Sequence, residues 1–299
     1  MVGGFCGAMT DLANHPFLRT QLVYDAAPEI ASISPYTRVL WDRQHRWISA
    51  DITRFKPAEK VRLLDVGCGP GHMAESQAGQ IELYLGVDPS MIELRRGQQT
   101  PGRHFVHGIG EELDFLPDNS FDVVTLVSVL DHCIDWHRAI GHCARALRSG
   151  GMMLVAMENS EQLPSRIRHK LGREVEHHDH IHFICLPDVA AALGDQFSVI
   201  TSRTFGYGFG LHTLTNRIRL PRAIFDALVP ALDWIGGLAM PNSGQVLYAC
   251  YRKKPDDEAA NSEAFFRCPS CHAPMVWGAA CCGECRTATP LSDGICDLL

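Results

Sequence analysis

The run Leu63-Leu64-Asp65-Val66-Gly67-Cys68-Gly69-Pro70-Gly71 limits the fold of this chain more than any other stretch. An apolar, strand-like segment runs straight into a turn in which alternate residues are glycine. Glycine tolerates positive φ and lets a ligand come close to the backbone, so the pattern reads as a strand, a tight loop and a helix start. A second strand pattern, Leu83-Tyr84-Leu85-Gly86-Val87, follows and ends on Asp88-Pro89-Ser90. An acidic residue about 20 positions beyond such a loop can accept hydrogen bonds from ribose hydroxyls. Dinucleotide-binding proteins use the same arrangement, so these two features alone leave NAD open.

Two more buried-strand patterns lie at Phe121-Asp122-Val123-Val124-Thr125-Leu126-Val127 and Met152-Met153-Leu154-Val155-Ala156. Helical segments between them imply βαβ units and a parallel sheet. Residues 1–60 mix aromatic and charged side chains and read as a helical N-terminal cap region broken by prolines. Residues 61–254 form the main unit, with a polar insertion at about 158–186 and further strands near Phe197 to Arg203 and Gln245 to Arg252. Residues 255–264 read as a solvated linker, and 265–299 as a separate cysteine-rich module.

Residues 63–157 resemble the class I, Rossmann-like S-adenosylmethionine-dependent methyltransferases, specifically the small-molecule branch. The match continues through Gly110-Glu111-Glu112-Leu113, Leu116-Pro117-Asp118-Asn119-Ser120-Phe121-Asp122, Val129-Leu130-Asp131-His132 and Arg145-Ala146-Leu147-Arg148-Ser149-Gly150-Gly151. The resemblance implies an α/β fold with a mostly parallel seven-stranded sheet and helices on both faces. It assigns the cofactor pocket to Asp65, Gly67, Cys68, Gly69 and Gly71 on the methionine side, to Asp88 and Pro89 at the ribose, and to Met91 near adenine. Val127 and Ser128 would close the pocket beside the sulfonium. Where the family often carries an acidic residue for the adenine amino group, this chain has Ile109 and Gly110, which leaves adenine to backbone groups. Asp122 reads equally well as a residue of this pattern and as a cap at a strand start.

Methyl transfer from a sulfonium is an in-line displacement that needs positioning and exclusion of water. A hydroxyl acceptor also gains from a base, and histidine suits that role near neutral pH. His132 follows the fourth strand pattern. The stretch Glu176-His177-His178-Asp179-His180-Ile181-His182 supplies the other candidates, and in an extended chain His178, His180 and His182 share one face. Three readings stay open for this stretch: a metal site, satisfied surface histidines, and a pocket role, which the resemblance favours. The expected bases are His180 and His182, ahead of His132.

Basic residues, Arg217, Arg219 and Arg222, precede an apolar helical run from Ala223 to Ile235. This reads as a helix packed on the sheet, with peripheral membrane contact or a phosphate-bearing acceptor as the alternative. The formal net charge of -7 argues against broad contact with nucleic-acid phosphates. No apolar run is long enough for a transmembrane helix, and the N-terminus lacks the pattern of a secretory signal.

Six of the 12 cysteines crowd the last 32 residues. Without a secretory signal they suggest a metal site in a reducing, cytoplasmic setting. Cys268-Pro-Ser-Cys271 and Cys282-Gly-Glu-Cys285 are paired knuckles with the spacing of a tetrahedral zinc site, Cys281 and Cys296 being bystanders. The tail resembles the zinc-ribbon family that includes the activator subunit of tRNA and protein methyltransferases, whose ribbon docks on a catalytic partner. Docking on this chain's own domain or on a partner protein is expected by that resemblance. The leading functional expectation is S-adenosylmethionine-dependent methylation of a small-molecule, glycan or lipid-linked acceptor, on oxygen. An RNA methyltransferase and a non-catalytic scaffold are the alternatives.

Overall fold

The computed structural model describes residues 34–98, 102–171, 182–209, 221–256, 260–289 and 291–299. The first described helix, α1 (Pro35–Phe55), begins with Ser34 accepting from the backbone N–H of Thr37 at 3.1 Å and with a proline in its first turn. Then β1 (Val61–Val66) leads through the glycine loop into α2 (His72–Ser76), and β2 (Ile81–Asp88) into α3 (Met91–Gly97). β3 (Arg103–His107), β4 (Phe121–Val127), α4 (Trp136–Ala146) and β5 (Leu147–Glu158) follow. The chain continues with α5 (Leu163–Lys170), α6 (Leu186–Leu193), β6 (Phe197–Phe205), α7 (Arg222–Ala239) and β7 (Val246–Lys253).

The sheet runs β6-β7-β5-β4-β1-β2-β3-β9-β8. β1 to β5 pair in parallel, and β7 is antiparallel to both β5 and β6. The first seven strands are the expected set. The sheet nevertheless has nine strands among the described residues, because the tail adds β8 (Leu291–Ser292) and β9 (Ile295–Asp297) at its edge. β1 is buried along its whole length, as a strand covered on both faces must be. Leu64 and Val66 belong to the apolar layer on one face, and Val61 and Leu63 to the layer on the other. From β1 the chain steps outward to β2 and β3, then returns to the other side of β1 as β4. That reversal opens a crevice beyond the carboxyl ends of β1 and β4, where open α/β sheets bind ligands.

The tail is joined to the domain by strand pairing and by packing. β9 lies parallel to β3, with Phe105, Val106 and His107 opposite Ile295, Cys296 and Asp297. Phe266 is buried against Phe115, and Phe265 stacks on His104 at 5.2 Å. Arg62 donates to the carbonyl of Glu263 at 2.9 Å and Arg148 to that of Ser262 at 3.0 Å. Cys296 is a buried strand residue of this packing. Asp122 accepts from the backbone N–H of Arg62 and from the Arg148 guanidinium at the strand starts, away from the crevice, which gives it the capping role.

Candidate active site

The crevice is a cavity of about 320 Å³. Its floor is the glycine loop. The backbone N–H groups of Gly67 and Cys68 both donate to the carbonyl of Val87, which ties the loop to the end of β2. Gly67, Gly69 and Gly71 all have positive φ, +71°, +50° and +83°. A Cβ on Gly67 would sit 2.2 Å from Cγ2 of Val129, whereas one on Gly69 would meet nothing within 4 Å. Gly67 is thus required by packing, and Gly69 leaves space open where the cavity begins.

Asp88 and Asp65 are the two buried carboxylates of this floor. Asp88 accepts from the N–H groups of Gly69 and Ser90, each at 2.8 Å, one on each oxygen. A carboxylate oxygen can accept more than one hydrogen bond, so each retains capacity for a further donor such as a ribose hydroxyl. Burial pushes its pKa up to about 6, against the pull of those two N–H groups. Asp65 accepts from Thr125 Oγ1 at 2.7 Å and from the Tyr84 hydroxyl at 2.8 Å, and burial also pushes it up to about 6. Asp65 therefore braces β1 against β2 and β4 from within the cavity wall. At the end of β4, Ser128 is held at φ +56° with its N–H on the carbonyl of Ala156 at 2.7 Å. A non-glycine residue in that conformation costs free energy and tends to mark functional turns.

Of the residues assigned to the cofactor, Asp65, Gly67, Cys68, Gly69, Asp88, Pro89, Val127 and Ser128 line the cavity together. Gly71 and Met91 do not. Gly71 turns its open side toward Tyr84, Arg103 and Phe105 and starts α2. Met91 is the first residue of α3 and packs against the apolar layer beneath it. Ile109 and Gly110, where adenine is expected, line the cavity, joined by Glu111, whose carboxylate accepts from the Ile134 N–H at 2.8 Å.

The histidines separate. His132 lines the cavity. His182 does not: its Nε2 lies 2.9 Å from the carbonyl of Ile134, and its N–H reaches the carbonyl of Asp131, fastening the exit of the insertion to the loop after β4. His178 and His180 lie outside the described residues. The cavity also contains a wall that the spacing of the sequence does not reveal, made by Trp41, Gln44 and His45 of α1, with His72 of α2 beside it. Two of these, Trp41 and His45, share a helix face one turn apart, but so do many surface pairs. Only the packing of α1 over the crevice marks them.

Residues 64–155 match the family described as methyltransferase domain. The matched stretch contains the glycine loop, Asp88 and the end of β4, which line much of the cavity. Part of the chain is also similar to curated proteins. Ubiquinone biosynthesis O-methyltransferase of Maricaulis maris is 31% identical over 109 residues, 35% of this chain and 43% of the relative. The enzyme of the same name from Albidiferax ferrireducens is 30% identical over 161 residues, 49% of this chain and 63% of the relative. The chain thus spans about half the length of the curated relatives it matches. Among solved structures, one described as a putative sarcosine dimethylglycine methyltransferase from Galdieria sulphuraria superposes with a TM-score of 0.52 at 14% identity, covering 71% of this chain and 86% of that one. The cyclase SpnF superposes with a TM-score of 0.51 at 18% identity, covering 84% of this chain and 95% of SpnF. These likenesses establish the fold, and the second shows that the fold by itself does not fix the reaction.

In the tail, the sulfurs of Cys268, Cys271, Cys282 and Cys285 all lie within 4.8 Å of one another. Cys268 and Cys285 are 3.6 Å apart, as are Cys271 and Cys282. Zinc–sulfur bonds of about 2.3 Å in a tetrahedron put sulfurs about 3.8 Å apart, so the set fits that ion. Cys281 is outside the cluster, in a bridge to Ala288. The module carrying the cluster is linked to the cavity lining at Pro89 through β3. His107, at the end of β3, has Nδ1 2.8 Å from Asp297 Oδ1 and Nε2 3.0 Å from the carbonyl of Pro89. Among the described residues no helix is long and apolar enough to cross a membrane.

Proposed function

We propose that the chain is an S-adenosylmethionine-dependent methyltransferase that methylates a hydroxyl oxygen of a small molecule, in the small-molecule branch of its family. The observation that carries this reading is the single cavity in which the glycine loop, Asp88 and the strained Ser128 meet. When bound, S-adenosylmethionine supplies an electrophilic methyl group on a sulfonium. Asp88 accepts the ribose hydroxyls, the backbone at Gly67 to Gly69 lies along the methionine part, and Ile109 and Gly110 face adenine. Val127 and Ser128 border the acceptor side. The preference for oxygen is supported by the curated O-methyltransferase relatives, and a small acceptor by the size of the cavity. Proton removal by a histidine belongs to this reading; of the expected trio His132 lines the cavity, His182 does not, and His180 lies outside the described residues.

In the same reading the units are a helical cap at 1–60, the methyltransferase domain at 61–254, a linker at 255–264 and a zinc ribbon at 265–299. The ribbon holds a structural zinc on Cys268, Cys271, Cys282 and Cys285, and the cytoplasm is the compartment that keeps those thiols reduced. Calorimetry with S-adenosylhomocysteine and transfer of a labelled methyl group to a panel of small phenols test the proposal. Saturable binding in the ~1 µM–1 mM range and transfer to at least one phenolic oxygen are expected. Absence of binding would overturn it, and binding with transfer only to nitrogen or carbon acceptors would overturn the assignment to oxygen.

A further inference from the structure

The cavity has two ends. Gly110 and Glu111 stand at one: a Cβ on Gly110 would lie 3.6 Å from the Cys133 sulfur, and the neighbouring Ile134 bonds to Glu111. The other end is the glycine loop with Asp65. His72 follows Gly71 there, and its charge acts on Asp65. The ring of His45 is 6.4 Å from the ring of His72, which places it at this second end. In the binding mode proposed above, adenine occupies the first end and the methionine part, with the reacting methyl group, the second. His45 thus stands beside the end at which the reacting methyl group lies in that mode.

We infer that His45, on the helix that closes the cavity, is the base that removes the acceptor proton. The inference rests on the O-methylation reading. The ring is already set for the task. Its Nδ1 lies 3.0 Å from the carbonyl of Trp41 one turn back on α1. A carbonyl only accepts, so Nδ1 carries the hydrogen, and Nε2 of the neutral ring keeps a lone pair. Burial, followed by the adjoining His72 from α2, pushes the His45 pKa below the ordinary value of 6.5, while the Trp41 carbonyl and Asp42 on α1 pull it up. Asp42 is itself engaged by Arg222 of α7. The balance leaves the ring neutral at pH 7, the form a base needs. In the reaction the hydroxyl proton passes to Nε2 of His45, the oxygen forms its bond to the methyl carbon, and the electron pair of the broken carbon–sulfur bond stays on sulfur. The imidazolium then returns its proton to solvent through the open cavity.

The test uses the full chain, S-adenosylmethionine and 1,2-dihydroxybenzene as probe acceptor. His45→Gln and His45→Asn should each lower kcat at least a hundredfold, within the usual span of ~10²–10⁴ for a positioned base. S-adenosylhomocysteine affinity and melting temperature should stay near wild type. The acid limb of the kcat profile, set below 6.5 in the wild type, should vanish. An acceptor-independent measurement accompanies this: nitrogen-15 spectra of the S-adenosylhomocysteine complex at pH 7 should show the His45 ring neutral and protonated on Nδ1. Near-normal turnover in both His45 variants, or a ring protonated on Nε2 at pH 7, overturns the inference. If the wild type binds S-adenosylhomocysteine but transfers nothing to any phenol, the acceptor reading fails on its own account, and the ring spectra still decide whether His45 can serve as a base.

Discussion

The two walls of the cavity are made of different material. The floor is backbone: the ends of β1, β2 and β4, joined by turns at Gly67 to Gly71 and at Ser128, with two buried carboxylates. The opposite wall is side chains of one helix, Trp41, Gln44 and His45. A backbone wall holds a ligand whose shape is fixed, since moving it would break the sheet. A helix face can exchange side chains without disturbing the fold, and so adapts to different acceptors. The division matches a constant cofactor and a variable substrate, and it can be broken by substitution on either side.

The largest effect is expected from Gly67→Ala. Its methyl would press on Val129 and force an alanine to hold φ +71°, a conformation that costs roughly 1–2 kcal/mol before any clash. S-adenosylhomocysteine affinity should fall more than a hundredfold, whereas Trp41→Ala on the helix wall should change it less than threefold. Calorimetry on the two variants decides the matter. Equal losses would mean that the helix wall also holds the cofactor.

Asp88→Ala comes next. Losing hydrogen bonds to a charged acceptor costs ~1–3 kcal/mol, or about 5- to 150-fold in affinity. The same carboxylate makes binding depend on pH. Burial holds its pKa near 6, so it is ionised at pH 7 and becomes protonated below that value. A protonated carboxyl gives up acceptor capacity, so affinity should be flat from pH 7 to 8 and should weaken below pH 6. Asp65 titrates in the same range, and Asp88→Asn should remove only the Asp88 share of the slope. A profile unchanged by that substitution would put the ribose elsewhere.

The contrast between walls also explains what the sequence discloses. Backbone turns need glycine, and a buried parallel strand needs an unbroken apolar run, so β1, β2, β4 and the loop are visible as spelling. β3 is not, because Arg103, His104 and His107 interrupt its short apolar pair Phe105-Val106. Its polar residues are explained only once the tail lies beside it: His104 stacks on Phe265, and His107 pairs with Asp297. Met91 stands close to Asp88 in sequence, but Ser90 caps α3 there and the helix turns Met91 into the core. The four clustered cysteines are legible because two short knuckles keep their spacing local. His45 is illegible because its role depends on a contact with α2, 27 residues away in sequence.

The tail offers a third kind of wall, one that supports the floor from outside. Cys271→Ser should release the metal, measured by elemental analysis, and leave the tail open to protease, since a module of this size has little core of its own. Cys281→Ser should retain the metal, as Cys281 lies outside the cluster. Because β9 completes the sheet next to β3, the metal-free variant should also bind S-adenosylhomocysteine several-fold more weakly. An unchanged affinity would mean that β9 stays paired without the metal.

The smallest effect isolates the link itself. Asp297 reaches His107, and His107 reaches the carbonyl of Pro89, the residue next to Asp88. Both partners of the ring are acceptors, so each contact forms only where the facing ring nitrogen carries a hydrogen. In Asp297→Ala the ring loses this link to the tail. The Asp297 side chain is 36% exposed, so solvent screens the pair and the effect on stability should be modest. A two- to fivefold loss of S-adenosylhomocysteine affinity is expected, with metal content unchanged. Asp297→Asn should fall between wild type and alanine, because its amide oxygen can accept from the ring but carries no charge. His107→Gln should match the alanine variant or exceed it, because it removes the middle of the chain of contacts. Affinity that is identical in all of these would show that the tail holds β3 in place without bearing on the loop that carries Asp88.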